Sequence, residues 1–161
     1  MFRTREILRE ERGDTLVEMA LSLVLVLATM FGIIQFSEAL YAYGFVSWAA
    51  QQGTRYAVVR GSTWSGHSCT STTTLNCDAT AANITSYVQG LTQPGITTGS
   101  LKVNATWPGY NVYQASSGCG TTNSPGCVVQ LQVSYQFSLN LPFVPSSHFN
   151  LTSTSEQAIQ E

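Results

Sequence analysis

Charge is scarce in most of this chain. Beyond Gly61 only Asp78, Lys102, Glu156 and Glu161 carry it, in a protein of 161 residues with a formal net charge of -2. Acid–base catalysis needs clustered ionisable groups, and this stretch has almost none to offer. A nucleic-acid partner needs a basic patch, which is also missing. Histidine is limited to His67 and His148. His67 sits two residues from Cys69, but zinc needs three or four ligands, so a loop or a disulfide is the expected use of that region. No Ser/His/Asp or Cys/His pairing stands out. The expectation is a non-enzyme with no catalytic residues, no cofactor and no metal.

Proline is missing before Pro94. Nothing therefore forces a break in the first third of the chain, and what lies there is one long helical stretch. Residues Met19 to Ser37 are uncharged. As a helix they span about 28 Å, close to the hydrocarbon thickness of a bilayer. Leu21 to Leu27 holds Leu, Val and one Ser, apolar on every side, which suits lipid or a bundle of like helices. Tyr41, Tyr43, Phe45 and Trp48 follow where aromatic rings prefer to sit beside a membrane. The reading is a continuous helix from near Leu16 to near Val59, within a segment 14–60 that is transmembrane to about residue 37. Gly44 and Gly53 are its weak points, each costing roughly 1 kcal/mol relative to alanine.

The start resembles a secretory signal, with Arg3, Arg5, Arg9 and Arg12 ahead of an apolar run. That run is longer than a signal core, and no small-residue cleavage site closes it, so an anchor is the better reading. Four arginines precede the span while Arg55 and Arg60 follow it, which places the N-terminus in the cytoplasm. Residues 1–13 form a charged leader. Thr15-x-x-Glu18 before the apolar run also fits a capping box at the helix start.

Residues 61–161 read as a small extracytoplasmic α+β domain. Residues 61–78 form a loop, and Asp78 is expected to cap a short helix over Ala79 to Leu91, with Ile84, Val88 and Leu91 on one face. Leu101, Val103, Ala105 and Trp107 alternate with polar residues as a strand does. Val129 to Leu141 alternates without a fault and is long enough for the centre of a sheet. A weaker strand, Phe149 to Ile159, could pair back on it. The fold expected is α+β: a long helix, a short helix and a three- or four-stranded antiparallel sheet. Four cysteines in polar surroundings suggest an oxidising compartment and two disulfides. Their spacing permits three pairings; equal gaps favour Cys69–Cys77 and Cys119–Cys127.

Gly13-Asp14-Thr15-Leu16-Val17-Glu18, a glycine and then a glutamate at the head of an apolar helix, resembles the type IV prepilin signal. Phe31-Gly32-Ile33-Ile34-Gln35-Phe36, Ala39-Leu40-Tyr41-Ala42-Tyr43 and Ala49-Ala50-Gln51-Gln52-Gly53-Thr54-Arg55-Tyr56-Ala57 narrow the match. Together they resemble the TadE-like family, pseudopilin-like proteins of the tight-adherence (Tad) pilus system. Gln51 and Gln52 depart from the Glu or Arg usual there, and the resemblance is loose beyond residue 60. It implies a pilin-like fold and cutting after Gly13 by a membrane-embedded prepilin peptidase, with Asp14 as the new first residue. It implies an assembly role for Glu18, and other pilins, the peptidase and the bacterial inner membrane as partners. The outer domain would then be periplasmic or extracellular. Two alternatives stay open. One is a type II secretion pseudopilin, which shares the start but not the Ala-Ala-x-x-Gly-x-Arg-Tyr stretch. The other is an uncut, membrane-anchored binding module using Trp64, Trp107, Tyr110 and Tyr113 as an exposed platform.

Overall fold

A computed structural model describes residues 3–64, 78–111, 119–120, 123–142 and 145–160, with residues 3–12 described for the backbone only. Its longest element is a single helix, α1, Arg3–Val58. The C-terminal end falls within a residue of the expected place. The N-terminal end does not: the helix runs back through Gly13 into the charged leader. The physical reason is composition. Arg, Glu, Ile and Leu in the leader are sound helix formers, and one glycine costs only about 1 kcal/mol. Thr15 is consequently interior to α1, so it does not cap a helix start in the intact chain.

The short helix α2 spans Ala81–Gly90. Its cap is Thr80 rather than the expected Asp78. The Thr80 hydroxyl accepts from the Asn83 backbone N–H at 3.2 Å, three residues on, which is the reach an N-cap needs. Asp78 stands two residues too early, and its carbonyl instead accepts from Asn83 Nδ2 at 3.2 Å. Ile84 and Val88 of α2 are buried, while Leu91 closes the helix as its C-cap. A short 3-10 turn, Thr98–Ser100, then leads into the sheet.

Three strands form an antiparallel sheet in the order β1-β2-β3: β1 Leu101–Thr106, β2 Val128–Leu139 and β3 Ser147–Ala158. The register of β1 on β2 runs from Leu101 opposite Tyr135 to Thr106 opposite Gln130. In β2 the odd positions Val129, Leu131, Val133, Tyr135 and Phe137 are buried, while Gln132 and Gln136 are exposed. That period of two is what a half-buried central strand requires. The edge strand β3 is mostly exposed, consistent with its Ser/Thr-rich sequence.

The chain divides into two compact units, Met1–Ala39 with Ser138–Ser147, and Leu40–Phe137 with His148–Glu161. The hydrophobic core belongs to the second. It is built from the C-terminal half of α1, from Ile84 and Val88 of α2, from the inner face of β2, and from Ile159. Fully burying one large apolar side chain contributes about 1.5–3 kcal/mol, so the buried Val129, Leu131, Val133, Tyr135 and Phe137 make β2 the structural centre of this unit.

Candidate functional site

The two halves of α1 have opposite surroundings. Every residue from Gly13 to Phe31 is exposed. Leu16, Met19, Leu21, Leu25, Ile33 and Phe36 each expose more than half of their surface. An apolar surface of that extent is not sustained in water and marks a membrane or a partner helix. Three hydroxyls in this half turn back on the helix. Ser22 Oγ donates to the Glu18 carbonyl at 2.9 Å, Thr29 Oγ1 to Val26 at 2.8 Å, and Ser37 Oγ to Ile33 at 2.8 Å. Back-bonding of this kind satisfies a hydroxyl where no water is available. α1 is long and apolar enough to cross a membrane, and it fits a single-pass anchor.

Gly13, Asp14 and Glu18 lie on the first turns of this exposed half. A Cβ on Gly13 would meet nothing within 4 Å, and Gly13 is not among the positive-φ glycines of the described residues. Neither space nor backbone conformation therefore calls for glycine at that point. Asp14 and Glu18 are both exposed and stand four residues apart, on one face of the helix.

From Ala42 onward the same helix packs. Ala42, Phe45, Val46, Ala49, Ala50, Thr54 and Ala57 are buried along one stripe. Gly53 sits in it, and here glycine is required by space. A Cβ at Gly53 would run into Leu131 Cδ2 of β2 and stand 2.7 Å from Val88 Cγ2 of α2. Thr54, fully buried, donates to the Ala50 carbonyl at 2.8 Å and lies 3.5 Å from the Ser155 carbonyl of β3. Tyr56 stacks on Tyr87 of α2, with ring centroids 4.4 Å apart and planes inclined by 17°. The Arg60 guanidinium lies 4.2 Å from the centre of the Tyr56 ring and 5.3 Å from that of Trp64. The Ala-Ala-x-x-Gly-x-Arg-Tyr stretch is thus a packing device: small residues admit the sheet and α2, and Tyr56 closes the contact. Exposed Arg55 stands in the last turn of α1, where a cation is favoured by the helix dipole. The sequence marked Gly53 only as a weak point; its place between two alanines and Tyr56 was the available signal.

Cys119 and Cys127 form a disulfide with their Cα atoms 5.6 Å apart, and both are buried. Cys69 and Cys77 fall outside the described residues, as do His67 and Tyr113. The other rings of the suggested platform have different surroundings. Trp64 is half-buried under Arg60, Trp107 is half-buried with its indole N–H enclosed, and Tyr110 donates to Glu156 Oε2 at 3.0 Å.

A family model described as TadE-like protein matches residues 13–55. No curated protein and no solved structure matches the chain at a significant level. The matched residues cover both halves of α1, from the exposed turns at Gly13 to the packed stripe at Gly53. Over residues 13–55 the chain is thus similar to the TadE-like family, the family that the sequence resembles.

Proposed function

We propose that this protein is a minor pilin or pseudopilin that takes part in assembling a Tad-type adhesive pilus. The TadE-like segment points to a Tad pilus-associated, structural protein with pilus components as partners. The observation that carries the finer reading is the division of α1: an exposed apolar half headed by Gly13, Asp14 and Glu18, continuous with a half fixed to a folded domain. In this reading the exposed half holds the protein in the inner membrane and then packs against other pilin helices. The N-terminus is cytoplasmic and the domain is presented outside.

A prepilin peptidase cuts after Gly13 in this reading. That position lies in exposed helix where nothing else requires a glycine. Cutting also creates what the intact chain lacks, a helix start at Asp14. Thr15 and Glu18 then stand in the first turn, where a hydroxyl and a carboxylate satisfy free backbone N–H groups. The new amine is largely protonated at neutral pH, with a reference pKa of about 7.7–8.0. Glu18, one turn along, pairs with that amine or with a neighbour's.

The test is the mass of the mature protein in cells with and without a prepilin peptidase. Removal of thirteen residues from the 161, leaving 148, is expected only where the peptidase is present. A full-length product in its presence overturns the processing and favours the alternative of an uncut, membrane-anchored module.

A further inference from the structure

The hairpin between β2 and β3 lies against the membrane-spanning part of α1. Asn140, just past the end of β2, donates its backbone N–H to Gln35 Oε1 at 3.3 Å, and Gln35 Nε2 donates to Glu38 Oε2 at 3.0 Å. All three residues belong to one compact unit, Met1–Ala39 with Ser138–Ser147. Gln35 is the one carboxamide in the uncharged run Met19–Ser37 and lies two residues from its end. A polar group at that depth costs free energy unless it is paired, and here its carbonyl and its amine are both occupied. The strand end gains as well, because the Asn140 N–H finds a partner where water is thinning out.

The chemistry of the hairpin tip matches this position. Residues 139–145 read Leu-Asn-Leu-Pro-Phe-Val-Pro, with no charge. In sequence, 61–78 and 114–126 consist largely of Ser, Thr, Gly, Asn and Cys, a polar composition. Leu141 and Pro142, by contrast, directly follow Asn140, whose backbone N–H is bonded to Gln35. Leu141 is half-buried, and Pro142 and Pro145 are exposed. An extended residue adds at most about 3.3–3.6 Å, so Pro142 stands within roughly 10 Å of the Gln35 side-chain oxygen, close to the end of the uncharged run.

We infer that the β2–β3 hairpin is a second membrane contact. Leu141 and Pro142 sit in the interface between phospholipid headgroups and acyl chains, pinned there by the Asn140–Gln35 hydrogen bond. This rests on the reading of α1 as a membrane anchor.

Site-specific photo-crosslinking of the full chain in nanodiscs of phosphatidylethanolamine and phosphatidylglycerol tests it. The photoreactive residue p-benzoylphenylalanine is placed by Pro142→p-benzoylphenylalanine, by Leu25→p-benzoylphenylalanine within the span, and by Pro125→p-benzoylphenylalanine on an exposed polar turn. Mass spectrometry then reads lipid adducts. Adducts at positions 25 and 142, but not at 125, are expected. Adducts at 25 alone overturn the hairpin contact and leave the anchor standing. An adduct to a second polypeptide at 142, in place of lipid, also overturns it. Adducts at none of the three remove the anchor, and the hairpin contact with it. As a second variant, Gln35→Leu keeps the span apolar but removes the acceptor for Asn140; the lipid adduct at 142 is expected to weaken while that at 25 is unchanged. An unchanged adduct at 142 in Gln35→Leu overturns the pinning.

Discussion

Gly53 of α1 lies so close to Val88 of α2 that a Cβ placed on it would stand 2.7 Å from Val88 Cγ2. Real Cβ atoms do not approach so near, so alanine at 53 forces either the helix or the facing side chains to move. At Gly44, nine residues earlier, a Cβ would meet nothing within 4 Å. The two glycines have equal intrinsic helix propensity and opposite surroundings.

Substitution of each glycine separates these cases. Gly44→Ala is expected to stabilise the fold by up to about 1 kcal/mol, the helix-propensity difference. Gly53→Ala gains the same propensity but overpacks the core, which typically costs about 1–3 kcal/mol, so a net loss is expected. Denaturation midpoints of the two variants in detergent check this. A Gly53→Ala midpoint at or above that of the parent would show that the contact relaxes freely.

Arg60 is the next test. Its guanidinium lies over the Tyr56 ring, which itself stacks on Tyr87. Lysine keeps the charge but not the flat cation that lies along a ring face. Arg60→Lys is therefore expected to lose much of a contact worth about 0.5–2 kcal/mol, and Arg60→Ala all of it. Thermal denaturation of both variants measures the difference. Equal stability of Arg60→Lys and the parent would reduce the contact to simple charge.

Removing the Cys119–Cys127 disulfide by Cys119→Ala with Cys127→Ala is expected to cost about 2–3 kcal/mol on the chain-entropy account of a short loop. Denaturation with and without reductant measures it, and the double variant should no longer respond to reductant through this bond. For Cys69 and Cys77 the proposal is a bridge to each other. Non-reducing peptide mapping that joins either one to a different cysteine rejects that pairing.

Tyr110 provides a titration. Its phenol donates to Glu156, which also accepts from Gln130 Nε2. That hydrogen bond to a carboxylate, followed by desolvation and the nearby negative charge, raises the pKa above the usual tyrosine value of 10.0. A raised value means the folded state holds its proton longer than the unfolded state does. The stability from this bond is complete below about pH 10 and is lost as pH rises through the folded value. Ultraviolet titration of the parent against Tyr110→Phe should isolate one late-ionising phenol, and Glu156→Gln should bring it down. No change in Glu156→Gln would contradict the assigned cause.

The processing and assembly roles of Gly13 and Glu18 separate in two variants. A bulky replacement of Gly13 is expected to leave a full-length, membrane-held protein. Glu18→Gln keeps the hydrogen-bonding shape but not the charge, and is expected to be cut yet to assemble poorly. Piliation equal to the parent in Glu18→Gln would remove the assembly role and leave Glu18 as a helix-start residue.

The sequence by itself determined the elements and their inner faces. An uncharged run without proline can only be helix in an apolar setting, and the faultless alternation from Val129 to Phe137 commits that segment to a strand with one buried face. Local periodicity carries that information. The TadE-like resemblance was legible for the same reason, since its motifs lie within one continuous helix. What depends on partners distant in the chain was not legible. Whether Gly53 weakens α1 or admits Leu131 and Val88 is decided by where β2 and α2 come to rest. The cap at Thr80 rather than Asp78 depends on the turn that delivers the chain to α2. The pairing of Gln35 with Asn140 joins residues more than a hundred positions apart, and no spacing rule reaches that far. Tertiary structure decided these points because each is set by a close approach between elements, and contact distance is not written in local sequence.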